Sequence, residues 1–288
     1  MNLLAIAIPT YNRSPKVLAQ CEKLAFQIEE AGLGEDVTLI VSDNASSDNT
    51  KTLLESSFST KRYFKYSRNR ENVGLVGNYL RCLQLSQCRF TWVVGDDDEI
   101  DEGAVADIFV RLRNSPELKV LFLNFLTKNG ATGETSLTTY YPSTLSGQFS
   151  GEQAAKEILD EVGHSAWLWI TGSVLSTATA LEATRYCGSR ENLAIPLMVP
   201  MFACCMGMFE ISAKPRLTMV IGTTSWAKKY YRRISAIDLP RVLFRLRRLD
   251  YDFVEISHFR RVLQNRWIAL VGDFRRRGIF SILDYIRL

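Results

Sequence analysis

The chain has 288 residues, 47% apolar and 23% charged, with a formal net charge of +4; this excludes a disordered or collagen-like polypeptide and leaves room for one large domain with an appendage. Six cysteines (Cys21, Cys82, Cys88, Cys187, Cys204, Cys205) show no CxxC pairing and there are only two histidines, so a Cys/His zinc site is not expected and the thiols read as free in a reducing compartment. The charge is unevenly divided: residues 1–227 carry 20 Lys and Arg against 25 Asp and Glu, whereas residues 228–288 carry 15 against 6, so the tail points to an anionic surface as partner.

The opening MNLLAIAIPTYN lacks a basic n-region and meets Pro9 too soon for a secretory signal, so a cytoplasmic protein is expected. Residues 3–8 (LLAIAI) and 37–41 (VTLIV) are continuous apolar runs that end in polar residues, the pattern of buried parallel strands. Between them Val17, Leu18, Cys21, Leu24, Ala25 and Ile28 recur at helical spacing, with Ser14 as cap and Pro15 in the first turn. The alternation continues with a helix near 49–58 behind Asp48, a strand near 62–66, a helix near 75–87, a strand at 90–94 and a helix near 102–114. The expected fold class is therefore α/β, a mostly parallel sheet flanked by helices, whose ligands bind at the carboxyl edge of the strands. Three polar motifs stand at that edge: PTYNR, SDNASSDN and GDDDE.

Residues 127–150 are rich in Thr, Ser and Gly and read as a long loop or hairpin of the kind that often forms a lid. Residues 193–209 are uncharged, but Pro196 and Pro200 favour a buried core segment over a membrane span. The tail shows a stripe of Val242, Leu246, Leu249 and Phe253 beside Arg241, Arg245 and Arg248, and a second basic block covers 270–288.

Three adjacent carboxylates, Asp96, Asp97 and Asp98, repel one another unless a cation sits among them. Asp96 and Asp98 are hard oxygen ligands suited to Mg²⁺ or Mn²⁺ beside a diphosphate; alone, the cluster reads equally as a solvated turn with Asp101 and Glu102 capping the next helix. Tyr11 could stack on a base, Asn12 and Arg13 could meet ribose or phosphate, and Asp43 could accept from a base or ribose, its alternative being turn chemistry shared with Asp48. Trp167 and Trp169, two apart, could share a strand face as a sugar platform, though core aromatics are the more ordinary reading. His164 and His258 each read as locally bonded or solvated.

IPTYNR at 8–13, VSDNASSDNT at 41–50, NRENVGLVGNY at 69–79 and WVVGDDD at 92–98 occur in the order and spacing of the family 2 glycosyltransferases of the GT-A fold. The chain most resembles bacterial sugar transferases of polysaccharide and O-antigen assembly, abequosyltransferase-type enzymes included. That resemblance implies a Rossmann-like domain at 1–227, with a donor-binding half at 1–125 and an acceptor half at 126–227, and a basic helical extension at 228–288. It implies an inverting enzyme that uses Mn²⁺ or Mg²⁺, a nucleoside-diphosphate sugar donor, and a saccharide or lipid-linked saccharide acceptor. Pro9, Thr10, Tyr11, Asn12, Arg13, Asp43 and Asn44 would line the nucleoside pocket; Asn72, Gly74 and Asn78 would shape the loop beside the donor; Asp96 to Asp98 would be the DxD element, with Asp98 and Asp96 the first choices as metal ligands. Gly95 departs from the family's L-D-x-D-D. Glu191, followed by Asn192 where the family has an E-D pair, matches the general base; Glu182 competes, and capping of the apolar segment at Leu193 is its structural alternative. Gly95 and Asn192 also leave open a non-catalytic nucleotide-sugar or glycan-binding protein. A nucleotidyl transferase would need a Gly-rich basic loop after the first strand, which PTYNR is not. The tail either rests on the inner membrane face or packs as a helical subdomain; no nucleic-acid reading module is present in its pattern.

Overall fold

The computed structural model describes residues 2–221, 230 and 233–264. The first apolar run forms β1 (Leu4–Thr10), buried except at Pro9, and the second forms β2 (Val37–Asp43), buried throughout. Burial on both faces suits central parallel strands; β1 pairs with β2 in parallel from Leu4 opposite Val37 to Thr10 opposite Asp43. Each fully buried Leu or Ile here contributes about 1.5–3 kcal/mol relative to exposure. Between the strands α1 (Ser14–Glu30) buries Val17, Cys21, Leu24, Ala25 and Ile28 against the sheet, as their spacing predicts. Arg13, not Ser14, holds the cap position; the free N–H of Ser14 is satisfied by Asp48 Oδ2 at 3.0 Å.

The first half continues through α2 (Thr50–Phe58), β3 (Phe64–Arg68), α3 (Gly74–Leu85), β4 (Phe90–Val93), the two-residue β5 (Glu99–Ile100) and α4 (Ala104–Asn114). Asp101 and Glu102 do not cap α4 with their side chains. Gly103, at φ 73°, precedes the helix, and Gln27 from α1 supplies the cap by accepting from the N–H of Val105 at 3.1 Å.

The second half holds β6 (Val120–Phe122), β7 (Phe125–Asn129), β8 (Gly147–Ser150), α5 (Gly151–Val162), α6 (Ser165–Leu168), β9 (Ser173–Ser176), α7 (Thr177–Thr184), α8 (Ile195–Cys205), β10 (Met208–Ile211), β11 (Leu217–Ile221) and α9 (Leu239–Arg247), the last entered through a π-helical turn at Ile234–Asp238. Eight strands form one sheet in the order β3-β2-β1-β4-β9-β6-β10-β8. Within it β9 runs antiparallel to β4 and β6, and β8 antiparallel to β10, while the remaining pairs are parallel. A small second sheet, β5-β11-β7, adjoins the acidic turn through β5. The Thr/Ser/Gly-rich stretch thus carries the end of β7, a turn closed by a bridge between Lys128 and Thr135, and the edge strand β8.

In α8 every residue from Ile195 to Cys204 is buried, so the uncharged segment is core. Among the described residues no helix is long and apolar enough to cross a membrane. Trp167 and Trp169 share no strand face. Trp167 lies in α6, fully buried and stacked on Phe122 at 4.2 Å, whereas Trp169 follows the helix and packs its edge on Phe125 at 4.9 Å. In the tail, α9 buries Val242, Leu243 and Leu246 and residues 257–264 are helical; the second basic block at 270–288 lies outside the described residues.

Candidate active site

The carboxyl ends of β1, β2 and β4 open onto a cavity of about 430 Å³. Pro9, Thr10, Tyr11 and Arg13 line it from the end of β1, Asn44 from the end of β2, Asn72, Gly74, Leu75, Asn78 and Tyr79 from the start of α3, and Gly95, Asp96 and Asp97 from the turn after β4. Ile170 closes it from the second half of the chain. Glycine at 74 has a physical reason, since its φ of 77° lies in the left-handed region.

The wall at α3 is an amide network. Asn44, 3% exposed, donates to Asn72 Oδ1 at 2.8 Å and to the Gly74 carbonyl at 3.2 Å, and accepts from Asn69 Nδ2 at 3.1 Å and from the N–H of Val73 at 2.9 Å. Asn78 bonds Ser42 on both sides, accepting from its hydroxyl at 2.7 Å and donating to its carbonyl at 2.9 Å. These bonds give the Val73 N–H, at the cap of α3, its acceptor and pin the start of the helix to the end of β2.

The acidic turn carries three differently held carboxylates. Asp96, 6% exposed, accepts from Arg13 Nη1 at 2.7 Å and from the Thr10 hydroxyl at 2.8 Å. Burial pushes its pKa up, against the pull of those two donors. Asp97 is more exposed and pairs with Arg13 Nη1 and Lys16 Nζ, both at 3.1 Å. Arg13 is held above its usual value; partial burial opposes its charge, and the two carboxylates outweigh that. Asp98 turns away from the cavity: one oxygen accepts from the Thr171 hydroxyl and the other from Trp169 Nε1 at 3.3 Å, and burial raises its pKa. A Cβ added to Gly95 would collide with the Asp98 carboxylate, so Asp98 fills the room left by the residue that breaks the family pattern.

Three expected site residues, Asp43, Asn12 and Glu191, stand off the cavity wall. Asp43, fully buried, is off the cavity wall and accepts from the Tyr66 hydroxyl at 2.5 Å and the N–H of Ser46 at 2.9 Å. Asn12, at φ 52°, ties two loops together by accepting from the N–H of Ser47 at 2.7 Å. Glu191 is exposed; its carbonyl accepts from Arg233 Nη2 at 2.6 Å. Glu191 does not cap the apolar segment: Ala194 is the cap residue of α8, without a side-chain cap, and Asn192, 2% exposed, accepts from the N–H of Ala194 at 2.8 Å and donates to the Asp238 carbonyl at 3.2 Å. His164 and His258 are bonded to each other, Nδ1 to Nε2, at 2.7 Å.

Leu75, Tyr79 and Ile170 line the cavity without having been singled out from sequence. Leu75 and Tyr79 lie four apart in NVGLVGNY, on one helix face with Asn78, and that spacing could have found them. Nothing in the local sequence marks Ile170.

Hard carboxylate oxygens at a cavity wall suit a divalent ion. Asp96 and Asp97 already converge on one cationic atom, Arg13 Nη1, at 2.7 and 3.1 Å, so the donor set fits. Among the described residues no cluster of three or more His, Cys, Asp or Glu that could hold a metal is present.

The sequence profile of the family described as Glycosyl transferase family 2 matches residues 5–168. Over 106 residues the chain is 29% identical to abequosyltransferase RfbV of Salmonella typhimurium, an alignment covering 36% of this chain and 31% of that protein; the match therefore spans about a third of the curated relative. Among solved structures, residues 1–349 of TarS from S. aureus in complex with UDP-GlcNAc align with a TM-score of 0.63 at 17% identity, over 96% of this chain and 74% of that one. Mannosyltransferase PcManGT from Pyrobaculum calidifontis, in complex with GDP-Man and Mn²⁺, aligns with a TM-score of 0.57 at 12% identity, over 97% and 77%. The large mostly parallel sheet flanked by helices is the GT-A architecture of these neighbours.

Proposed function

The chain belongs to glycosyl transferase family 2, and on that premise we propose that it moves a sugar from a nucleoside-diphosphate sugar, with inversion at the anomeric carbon, to a saccharide acceptor, free or lipid-linked, in cell-surface polysaccharide synthesis. The observation that carries this reading is the convergence of an aromatic ring, an amide-rich wall and two carboxylates around a single cavity of about 430 Å³. Tyr11, 45% exposed, lines the cavity and offers a ring on which a base can stack. Asn72, Gly74 and Asn78 form the wall beside the donor, held by Asn44. Asp43 and Asn12 shape the β1 and β2 loops that frame the nucleoside, while Thr10 and Arg13 orient Asp96.

Asp96 and Asp97 are assigned to Mn²⁺ or Mg²⁺ when the donor is bound. The ion's chemistry is to neutralise charge on the departing diphosphate. Arg13 and Lys16 relieve the repulsion between the carboxylates. Glu191 is assigned the proton of the acceptor hydroxyl. Its loop packs beside the donor wall, since the Arg190 side chain comes within 3.9 Å of a Cβ position on Gly77 of α3. Glu182 is the competing base.

The test is donor hydrolysis together with a thermal-shift panel of UDP, GDP, CDP and dTDP, with and without Mn²⁺. Release of nucleoside diphosphate that requires Mn²⁺ or Mg²⁺ and is lost in Asp97→Ala and Glu191→Ala supports the enzyme. Tight nucleotide binding without release under any metal or acceptor would instead identify a nucleotide-sugar or glycan-binding protein.

The division into a transferase domain at 1–227, its donor half ending at 125, and a basic extension at 228–288 belongs to the same proposal, as does contact of that extension with anionic lipid on the inner membrane face. Each Lys or Arg near such a surface contributes about 1 kcal/mol. Equal flotation with anionic liposomes of the full chain and a variant with the arginines of α9 replaced by glutamine would argue against this part of the tail.

A further inference from the structure

Thr171 is fully buried in the 3-10 turn Ile170–Gly172 and is bonded three ways. Its hydroxyl accepts from the N–H of Gly95 at 2.9 Å and donates to the Asp98 carboxylate. Its carbonyl accepts from Trp92 Nε1 at 2.9 Å. Two residues earlier, Trp169 donates to the other Asp98 oxygen. From the opposite side Gln20 of α1 donates to the carbonyls of Gly95 at 3.0 Å and Asp98 at 3.1 Å. The turn at 95–98 is thus gripped at both ends, and the grips from Thr171, Trp169 and Gln20 all fall on Gly95 and Asp98, while Asp96 and Asp97 are held by Thr10, Arg13 and Lys16. Asp96 and Asp97, between them, are the two carboxyl-bearing residues of the turn that line the cavity.

We infer that Thr171 and Trp169 are positioning residues of the acidic turn: they keep Asp98 folded into the space beside Gly95, so that Asp96 and Asp97, and not Asp98, meet the diphosphate and its metal. This rests on the donor-site reading above and reassigns the carboxylates within it. A side chain at residue 95 and the observed Asp98 carboxylate exclude each other sterically, which makes Gly95 and Asp98 a coupled pair. Thr171 also sits next to Ile170, which lines the same cavity. One short segment of the second half of the chain therefore both closes the donor cavity and sets the orientation of its carboxylates.

The experiment is calorimetric titration of the full chain with UDP or GDP, whichever the wild type binds, in the presence of Mn²⁺, alongside KM and kcat for donor hydrolysis. Thr171→Val is isosteric but leaves the Gly95 N–H and one Asp98 oxygen without a partner, so nucleotide affinity falls about tenfold, the scale of one hydrogen bond to a charged group. KM rises more than kcat falls, and Thr171→Ser, which keeps the hydroxyl, recovers most of the loss. Gly95→Ala, by expelling Asp98, acts in the same direction. Asp98→Ala on the Thr171→Val background costs less than about a further twofold, because both changes act through one contact. Wild-type affinity in Thr171→Val, or multiplicative losses in the double variant, would overturn the inference. If Thr171→Val does not fold, Trp169→Phe and Gly95→Ala decide, and unchanged affinity in both overturns it. Should the wild type bind no nucleotide with any metal, the donor-site reading fails; binding by the wild type that Thr171→Val matches removes the positioning role alone.

Discussion

Arg13 Nη1 lies 2.7 Å from Asp96 Oδ1 and 3.1 Å from Asp97 Oδ2, so a single guanidinium at the end of β1 answers two carboxylates at the end of β4. Arg13→Ala leaves Asp96 buried with only the Thr10 hydroxyl as partner. The expected loss of stability is about 1–2 kcal/mol, below that of a fully buried pair because Arg13 is half-exposed. Its pH dependence has a definite sign. The Asp96 pKa is already raised by burial, and without Arg13 it rises further, so the variant's deficit is largest at neutral pH and shrinks as pH falls and Asp96 takes up a proton. Urea unfolding at pH 7.5 and pH 5 measures this; a deficit that grows on acidification would contradict it.

Asn44 joins β2 to the start of α3 through four hydrogen bonds. Asn44→Ala strips the Val73 N–H of its partner and removes the side-chain bonds to Asn69, Asn72 and Gly74, and the expected cost is about 1–3 kcal/mol. Since Asn72, Gly74 and Asn78 line the cavity, nucleotide affinity should fall as well. Paired urea and calorimetric measurements check both; a stability loss with unchanged affinity would show that the network holds the fold without setting the donor wall.

Asn192 follows Glu191 where the resemblance leads one to expect the acid of an E-D pair, and its contacts suit an amide. Its Nδ2 donates to the Asp238 carbonyl, which a carboxylate cannot do, while its Oδ1 accepts from the Ala194 N–H. Asn192→Asp would face a carbonyl with an unshared pair, so a loss of about 1–2 kcal/mol is expected, with no gain in turnover. Thermal unfolding and donor hydrolysis on the same preparation test this; a faster, equally stable variant would restore the acid to a catalytic place.

Most of the first half was legible because its signals are local. The run from Leu4 to Ile8 and the stripe from Val17 to Ile28 each satisfy one period, and Pro15, Asp48 and Gly74 punctuate them. The cavity wall was legible as far as it lies in PTYNR, NVG and DDD. What escaped depends on long-range contact. Thr171 has no motif, and its role exists only because β9 inserts antiparallel between β4 and β6, bringing residue 171 against residue 95. Trp169 was singled out as half of a strand-face pair, but the chain leaves α6 there and aims its indole N–H at Asp98. The Gln27 cap of α4 is invisible for the same reason, since the residue that serves the helix lies 78 positions from the N–H it satisfies.

His164 and His258, 94 residues apart, share a hydrogen bond of 2.7 Å between Nδ1 and Nε2, and both rings pack on Phe259. Such a bond needs one ring to accept, so it exists only while the pair is not fully protonated. Burial, reinforced by His258, lowers the His164 pKa to about 4. His258 is lowered by burial and by Arg261, with Asp160 acting the other way. Depressed histidines are more easily protonated in the unfolded chain, so their contribution is complete above about pH 6.5 and declines as pH falls from there toward the folded values. The raised carboxyls Asp96, Asp98 and Asp238 have the opposite sign, which is why the comparison must be with a variant lacking only the pair. His258→Gln cannot titrate in this range. It is expected to be less stable than the wild type by about 1 kcal/mol at pH 7.5, with the gap narrowing by pH 5 because acidification penalises the wild type through both histidines and the variant through His164 alone. Denaturant unfolding at the two pH values reads this directly; a gap that stays constant would mean that the pair keeps its protonation state throughout and that the link from α6 to the 257–264 helix is insensitive to acid.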